Sequence, residues 1–390
     1  MKSLTVIGAG MQGVAAAFDA VKFGSFERVT LADRDSERAR AGSDRINSLL
    51  ATSVCDWAQL DAVDRRAARL FLEDYQLAIS AVPYTMHSLL EDVAIAAGCS
   101  VVDMGQDPEP ALAIHARDKE ARERHVSVVT DCGLAPGLVN IFAADLIAEC
   151  PDATHVRAYC GGLPERPIGP LGYVLRFSMD SVIGEYSDEV LELRNGQVIS
   201  SKALDHVEEV NFEGVGRLEA FPTSGGSGTA PYSFQGKVPN YEYKTLRYPG
   251  HRDAMVMFRD CGFWSEEPVH RIGTSAREAF SAIMEKSLCR PEIEDVVLVR
   301  VEAETPDRTV RLEMMERADP VTGFTAMERL TGFSTSIVAL EIAAGRIPHG
   351  CFGCESAVDP ARFRSELELR RFEIRSVGSL SPIPGIVEPR

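Results

Sequence analysis

Aromatic residues make up 7% of the 390 positions, with two tryptophans, and no stretch approaches about 18 uninterrupted apolar residues. A membrane-spanning helix is therefore not expected. The N-terminus enters an apolar strand with no signal-like region, so the sequence predicts a soluble, cytoplasmic protein. Positive charge is also scarce. There are 41 basic against 58 acidic residues, a net charge of −17, which argues against a nucleic-acid backbone or an anionic membrane as partner. Nine cysteines, an odd number in a long chain, read as free thiols rather than a disulfide framework. Cys351-Phe352-Gly353-Cys354 is a single CxxC loop with no second pair of metal-ligand type, and no metal is expected.

What is present in quantity is apolar residue, 45% of the chain, enough for the two cores that a chain of this length requires. The most informative string is the first one. Leu4 to Ile7 reads as a strand, Gly8-Ala9-Gly10-Met11-Gln12-Gly13 as a GxGxxG turn opening a helix to Phe23, and Arg28 to Ala32 as a second strand ending at Asp33. In such a unit Gly8 makes the turn, Gly10 lets backbone approach a pyrophosphate, and Gly13 lets helix and strand pack closely. The helix start, with Met11 and Gln12, supplies unpaired N–H groups for the diphosphate. Asp33 is placed for the adenosine ribose hydroxyls and favours NAD, while the neighbouring Arg34 keeps NADP open.

Alternation of short β-branched runs and helical stretches continues to about residue 134, the signature of a doubly wound α/β Rossmann domain. Helices are expected at Glu37–Leu50, Asp61–Phe71, Met86–Ala97 and Ala111–Arg124, with strands at Leu77–Val82, Ser100–Asp103 and Val126–Thr130. The loops at Ala81–Tyr84 and Asp103–Gln106 follow strand ends and should line the nicotinamide side, Ala81 and Val82 on the cofactor and Tyr84 towards substrate. Residues 135–320 read as an α+β domain on a mainly antiparallel sheet, with Tyr173–Phe177 among its strands and Asn195-Gly196 as a hairpin turn. Residues 321–390 are helical again over Thr325–Ala344, and periodicity leaves their destination open.

Chemistry-bearing residues concentrate in the second domain. If Tyr241–Arg247 is a strand, Tyr243, Thr245 and Arg247 share one face and Lys244 the other. Arg247 is then placed to grip a substrate carboxylate with its planar fork. His251, at a helix start after Pro249-Gly250, is a candidate proton acceptor, and Lys244 and Asp103 are alternatives. Cys160-Gly161-Gly162 is expected to follow a strand into a turn, with Cys160 in contact rather than in catalysis. The run Phe221 to Thr229, rich in glycine and hydroxyls, reads either as a ligand-embracing loop or as a flexible linker.

Taken together, Gly8–Gly13, Gly133-Leu134-Ala135-Pro136-Gly137-Leu138-Val139-Asn140, Cys160–Pro164, Leu218–Phe221 with Thr223–Gly226, Lys244–His251 and Gly323–Met327 resemble the saccharopine dehydrogenase-like superfamily, most closely its lysine 6-dehydrogenase branch. The resemblance implies a Rossmann domain with an inserted second domain, a C-terminal segment returning to the first, and a homodimer or larger assembly. It implies NAD-dependent oxidative deamination of lysine at its side-chain amine, releasing ammonia, with Cys160 and the Lys244–His251 stretch, Thr245 included, at the amino-acid substrate. Two other readings stand beside it. One is an NAD(P)-dependent reductase of an imine formed from an amino acid, with Arg176 as a second positive group; the other is a dinucleotide-binding protein without turnover.

Overall fold

A computed structural model describes residues 2–105, 107–176 and 178–378. Strands β1 (Ser3–Ile7), β2 (Arg28–Asp33), β3 (Cys55–Gln59), β4 (Leu77–Ser80), β5 (Ser100–Asp103) and β6 (Ser127–Thr130) lie parallel in the order β6-β5-β4-β1-β2-β3. Runs such as Leu4–Ile7 and Val29–Ala32 are buried throughout, as strands covered by helices on both faces must be. Helix α1 (Met11–Phe23) leaves the turn after β1. Edge strand β3 is not visible in the hydrophobic pattern, because Cys-Asp-Trp-Ala-Gln needs only one paired side, and Trp57 is 41% exposed. The helix expected from Asp61 begins instead at Arg65, where Asp64 accepts the N–H groups of Arg66 and Ala67 as its cap.

The second sheet contains β7 (His155–Pro164), β8 (Glu189–Arg194), β9 (Gln197–Lys202), β10 (Glu208–Phe212), β11 (Gly216–Pro222), β12 (Asn240–Arg247), β13 (Asp295–Glu304) and β14 (Thr309–Arg317). Its main path runs β10-β11-β12-β7-β13-β14, with β12 and β7 parallel and most other neighbours antiparallel. The β8–β9 hairpin turns at Asn195-Gly196, both with positive φ. Cys160-Gly161-Gly162 lies inside β7, not in a turn: a Cβ on Gly161 would sit 2.7 Å from that of Leu246, so glycine here lets β7 approach its neighbour. The strand expected from Tyr173 is irregular backbone, whose Tyr173 and Leu175 enter the core of a helical cap; Phe177 lies outside the described residues.

That cap consists of α2 (Met179–Ser187), α3 (His251–Asp260) and α4 (Ala276–Leu288), packed through Met179, Ile183, Met255, Phe280 and Met284. Helix α5 (Ala326–Ala343) then lies along α1, so close that a Cβ on Gly332 would sit 2.8 Å from that of Ala15. Its start is fixed from the second sheet, as Asp295 of β13 accepts the N–H groups of Ala326 and Met327 at 2.9 and 3.0 Å. Strand β15 (Gly350–Gly353) joins β6 as the seventh parallel strand. The CxxC expected as a loop is therefore mostly strand, with both thiols free and buried. Beyond it β16 (Arg375–Val377) pairs with β14, so residues after 321 serve both sheets; residues 379–390 lie outside the described part.

One buried ion pair locks this return. Arg370 Nε and Nη2 donate to Asp19 of α1 at 2.8 and 2.9 Å, and both side chains are fully buried. Removing one partner strands the other charge in the core, so Arg370→Ala should cost about 3–5 kcal/mol of unfolding free energy in urea titrations. Adding Asp19→Asn should return part of that loss. A midpoint unchanged by Arg370→Ala would show that the tail is not held here.

Candidate active site

A cavity of about 430 Å³ opens between the C-terminal ends of the Rossmann strands and the second sheet. Gln12 and Ala81–Tyr84 form one wall, Cys160, Tyr243, Thr245 and Arg247 another, and Ser181, Gly184, Glu185 and Asp188 of α2 and its C-terminal flank a third. The glycine and hydroxyl run supplies Thr223 to Gly226 to the wall and is packed rather than free, with Thr223, Ser227 and Thr229 almost wholly buried.

On the Rossmann side Gly8 has φ +108°, and a Cβ there would collide with the Ala81 carbonyl. A Cβ on Gly13 would strike the carbonyl of Gly8. Gly10 differs, since a Cβ there would meet nothing within 4 Å; its space is kept open rather than filled by the fold. As N-cap of α1 it offers no side-chain acceptor, so the first N–H groups of the helix face that space uncapped. Met11 is half exposed at the first helical position, and the Gln12 Oε1 is buried at the cavity without a hydrogen-bond partner. Asp33 accepts the N–H groups of Ala9 and Asp35 at 2.8 and 2.9 Å, one on each carboxylate oxygen, and Arg34 beside it is exposed. An open glycine step, an uncapped helix start, an orphaned amide oxygen and a fixed carboxylate together fit a dinucleotide.

Across the cavity, β12 places Tyr243, Thr245 and Arg247 in the wall and turns Lys244 to the opposite face. Lys244 Nζ there meets Glu208 and Glu242 at 3.0 and 3.3 Å. The two-residue period of the strand thus removes Lys244 from the candidate proton-transfer groups facing the cavity. Thr245 Oγ1 is hydrogen-bonded to Thr223 Oγ1 at 2.7 Å. Arg247 is 4% exposed, and its Nε donates to the Tyr186 hydroxyl at 3.0 Å and its Nη1 to the Leu246 carbonyl at 3.0 Å. Its guanidinium lies over the rings of Tyr173 and Tyr186, 4.9 and 6.0 Å from their centroids. Among the described residues no carboxylate makes an ion pair with it.

His251 sits behind this arginine, sealed from the cavity. Its Nδ1 lies 2.9 Å from the Leu171 carbonyl, which can only accept, so Nδ1 carries the proton. Nε2 must then accept from the Tyr186 hydroxyl at 3.0 Å, whose oxygen in turn accepts from Arg247. Burial, then the nearby guanidinium, pushes the imidazole down to about 3. Neutral, with both nitrogens engaged, His251 orients Tyr186 and Arg247 and has no lone pair for a substrate proton.

Asp103 is likewise sealed. It is fully buried, its Oδ1 accepts the N–H groups of Gly105 and Asp131 at 2.6 and 3.1 Å, and burial followed by the adjacent Glu91 raises it well above the usual carboxylate range. Standing at a strand end put it near the cavity but one layer beneath it. Cys160 and Tyr84 do line the cavity, and burial pushes the Cys160 thiol up to about 12. Glu185, Tyr173 and Tyr186 were not singled out by the sequence. The i, i+3, i+4, i+7 spacing of Ser181, Gly184, Glu185 and the flanking Asp188, opposite the buried Met179, Val182, Ile183 and Tyr186, is the signal that marks Glu185.

Residues 4–129 match the family described as saccharopine dehydrogenase NADP binding domain, and residues 133–371 match the saccharopine dehydrogenase C-terminal domain. Saccharopine dehydrogenase (NADP+, L-glutamate-forming) of Pyricularia oryzae is 26% identical over 251 residues, covering 62% of this chain and 53% of that protein. Mitochondrial alpha-aminoadipic semialdehyde synthase of Bos taurus is 27% identical over 218 residues, covering 53% of this chain and 22% of that protein. The chain thus spans about half the length, or less, of these curated relatives. Apo saccharopine dehydrogenase (L-Glu forming) from Saccharomyces cerevisiae has the same fold, with a TM-score of 0.76 at 17% identity over 97% of this chain and 100% of that one. Homospermidine synthase from Legionella pneumophila in complex with NAD follows at a TM-score of 0.66, with 11% identity over 99% of this chain and 94% of that one. These relatives overturn the expectation of ammonia-releasing lysine deamination, since the curated names are those of saccharopine chemistry and nothing among them singles out lysine 6-dehydrogenase. With both domain profiles matched along the chain and both sheets in place, this protein belongs to the saccharopine dehydrogenase family, an NAD(P)-binding Rossmann domain joined to an α+β domain.

Proposed function

We propose that this protein interconverts a secondary amine and the imine of an amino acid with a carbonyl compound, in the manner of saccharopine-forming or saccharopine-cleaving enzymes, with NAD(P) as redox partner. The observation that carries this reading is Arg247, a cation almost wholly buried at a cavity wall, held by tyrosines and a carbonyl but with no ion-pairing carboxylate. Glu185 attracts this charge from across the cavity but does not pair with it, and a substrate carboxylate can close onto it in bidentate geometry. Arg176 lines the same cavity with its Nε buried and unpartnered, a second positive group that one amino-acid carboxylate would leave unused. Two guanidinium groups favour a condensed substrate with more than one carboxylate over lysine alone.

In this reading residues 1–134 hold the cofactor, residues 135–320 hold the substrate, and the segment from 321 closes one against the other. Bound NAD(P) would give or take the hydride. Gly8, Gly10 and Gly13 shape the turn for its diphosphate, Asp33 and Arg34 face its ribose, and Ala81 and Val82 border its ring. Arg247 binds the substrate carboxylate and His251, through Tyr186, fixes the guanidinium plane. Cys160 and Thr245 contribute contact and shape.

Saccharopine with oxidised NAD or NADP should therefore yield reduced cofactor, while lysine alone should yield neither reduced cofactor nor ammonia. A wild-type enzyme inert towards saccharopine and towards mixtures of amino acid, carbonyl compound and reduced cofactor would refute the reading. Arg247→Ala should lower kcat/KM by about thirtyfold or more, ~2 kcal/mol for a buried charge pair lost, with cofactor affinity unchanged by fluorescence titration. Asp33→Ser should shift the ratio of NAD to NADP dissociation constants towards NADP by about tenfold, ~1.4 kcal/mol. An unaltered ratio would place the ribose elsewhere.

A further inference from the structure

The imine reading leaves one chemical requirement unassigned. A secondary amine is a cation in water, and it must lose a proton before its carbon can give up hydride; in the reverse direction the new amine must gain one. None of the three groups expected from the sequence serves, as Lys244 faces away, His251 has both nitrogens engaged and Asp103 lies beneath the wall.

Glu185 stands where such a group is needed. It projects from α2 into the cavity that also receives Gln12 and the Ala81–Tyr84 loop, so it shares one cavity with that loop, the start of α1 and Arg247. Among the described residues no side-chain hydrogen bond ties up its carboxylate. Its surroundings are Arg247 and Tyr243 from β12, Cys160 from β7, Tyr173 from the loop before α2, and Tyr186 on its own helix. Of these only Arg247 is charged near neutrality. The other two carboxylates of the wall, Asp107 and Asp188, are solvent-exposed at the rim.

We propose that Glu185 accepts the proton of the substrate's secondary ammonium group in oxidation and returns it to the amine nitrogen in reduction. The assignment rests on the imine reading of this site. In the oxidative direction one N–H bond breaks and an O–H bond forms on the Glu185 carboxylate; the electron pair of that N–H stays on nitrogen, where it becomes the second bond of the C=N as the carbon's hydride leaves for NAD(P). Water then hydrolyses the iminium to a carbonyl compound and an amine.

Titration behaviour agrees with the geometry. Burial raises Glu185 to about 7 against the opposing pull of Arg247, while burial moves Cys160 to about 12 and cavity-lining His87 down to about 3. Glu185 is thus poised to exchange a proton near neutrality.

The test is saccharopine oxidation by wild type, Glu185→Gln and Glu185→Asp across pH 5.5 to 9, with cofactor binding and thermal unfolding followed in parallel. Glu185→Gln should lower kcat by about 10²–10⁴-fold, with cofactor affinity and unfolding temperature close to wild type, and Glu185→Asp should recover part of the rate. Wild-type kcat/KM should rise with pH through about 7, the ionised carboxylate being the base, and that limb should vanish in Glu185→Gln. A Glu185→Gln enzyme within a few-fold of wild type, or one retaining the limb, overturns the assignment while the imine reading stands. If Glu185→Gln fails to bind cofactor, the wild-type profile and Glu185→Asp decide: a wild-type rate without that limb, or an aspartate variant with the limb unmoved, overturns it. A wild type that does not turn over saccharopine or any imine-forming mixture overturns both.

Discussion

A buried cation onto which no carboxylate of the described residues closes as an ion pair is the constraint around which the second domain is arranged. Arg247 gives up bulk water and receives in return two tyrosine faces, one phenol oxygen and one carbonyl. Neutral acceptors and ring quadrupoles soften the desolvation of a guanidinium, and Glu185 attracts it across the cavity without closing to an ion pair. The hydrogen-bond chain from Arg247 through Tyr186 and His251 to the Leu171 carbonyl has a single self-consistent proton arrangement, because one end only donates and the other only accepts. Such a chain fixes orientation. Protonating His251 would make its Nε2 a donor facing a hydroxyl that already receives one from Arg247, so the chain holds only while the ring is neutral, and burial keeps it so.

The first domain supplies the complementary surface, and the two are made into one site by the way the chain returns. Asp295 of the second sheet holds the start of α5, α5 lies on α1 at a distance only Gly332 permits, and Arg370 fastens to Asp19 on the same α1. Helix α1 is the helix whose N-terminus opens on the glycine turn, so the second sheet and that turn are tied through two helices. Met327 and Thr331 of α5 also reach the cavity wall. Positioning of a reacting carbon against a nicotinamide depends on angstrom-scale register, and these backbone and buried contacts are what join the two domains here.

The parts of this arrangement legible in the sequence are those governed by local rules. The Rossmann alternation, the GxGxxG turn, the Asn195-Gly196 hairpin and the face shared by Tyr243, Thr245 and Arg247 all follow from backbone periods and glycine stereochemistry. What escaped was set by neighbours distant in sequence. Strand β3 is an edge with a polar pattern, and β15 is a four-residue strand formed only when the C-terminal segment comes back beside β6. Tyr173 and Leu175 alternate like a strand, yet their side chains enter the helical cap and the Leu175 N–H donates to the Leu288 carbonyl at the end of α4. Asp103 shows the limit of arguing from strand ends, since β5 ends beneath the cavity floor and its carboxyl meets Glu91 and backbone amides instead of ligand.

Cofactor choice illustrates how tertiary contacts qualify a motif. Asp33 alone is read as a carboxylate offered to ribose hydroxyls, yet in the folded chain it also bridges the glycine turn at Ala9 and the next helix start at Asp35. Each oxygen keeps a second lone pair, so ribose hydroxyls can still be met, but the carboxylate cannot swing aside without releasing both N–H groups. If the ribose binds at Asp33 as proposed, a fixed negative charge stands beside its 2′ position, while Arg34 next to it is exposed. In that reading discrimination is the difference between the repulsion from Asp33 and the attraction of Arg34, and only the first is tied by hydrogen bonds into the glycine turn.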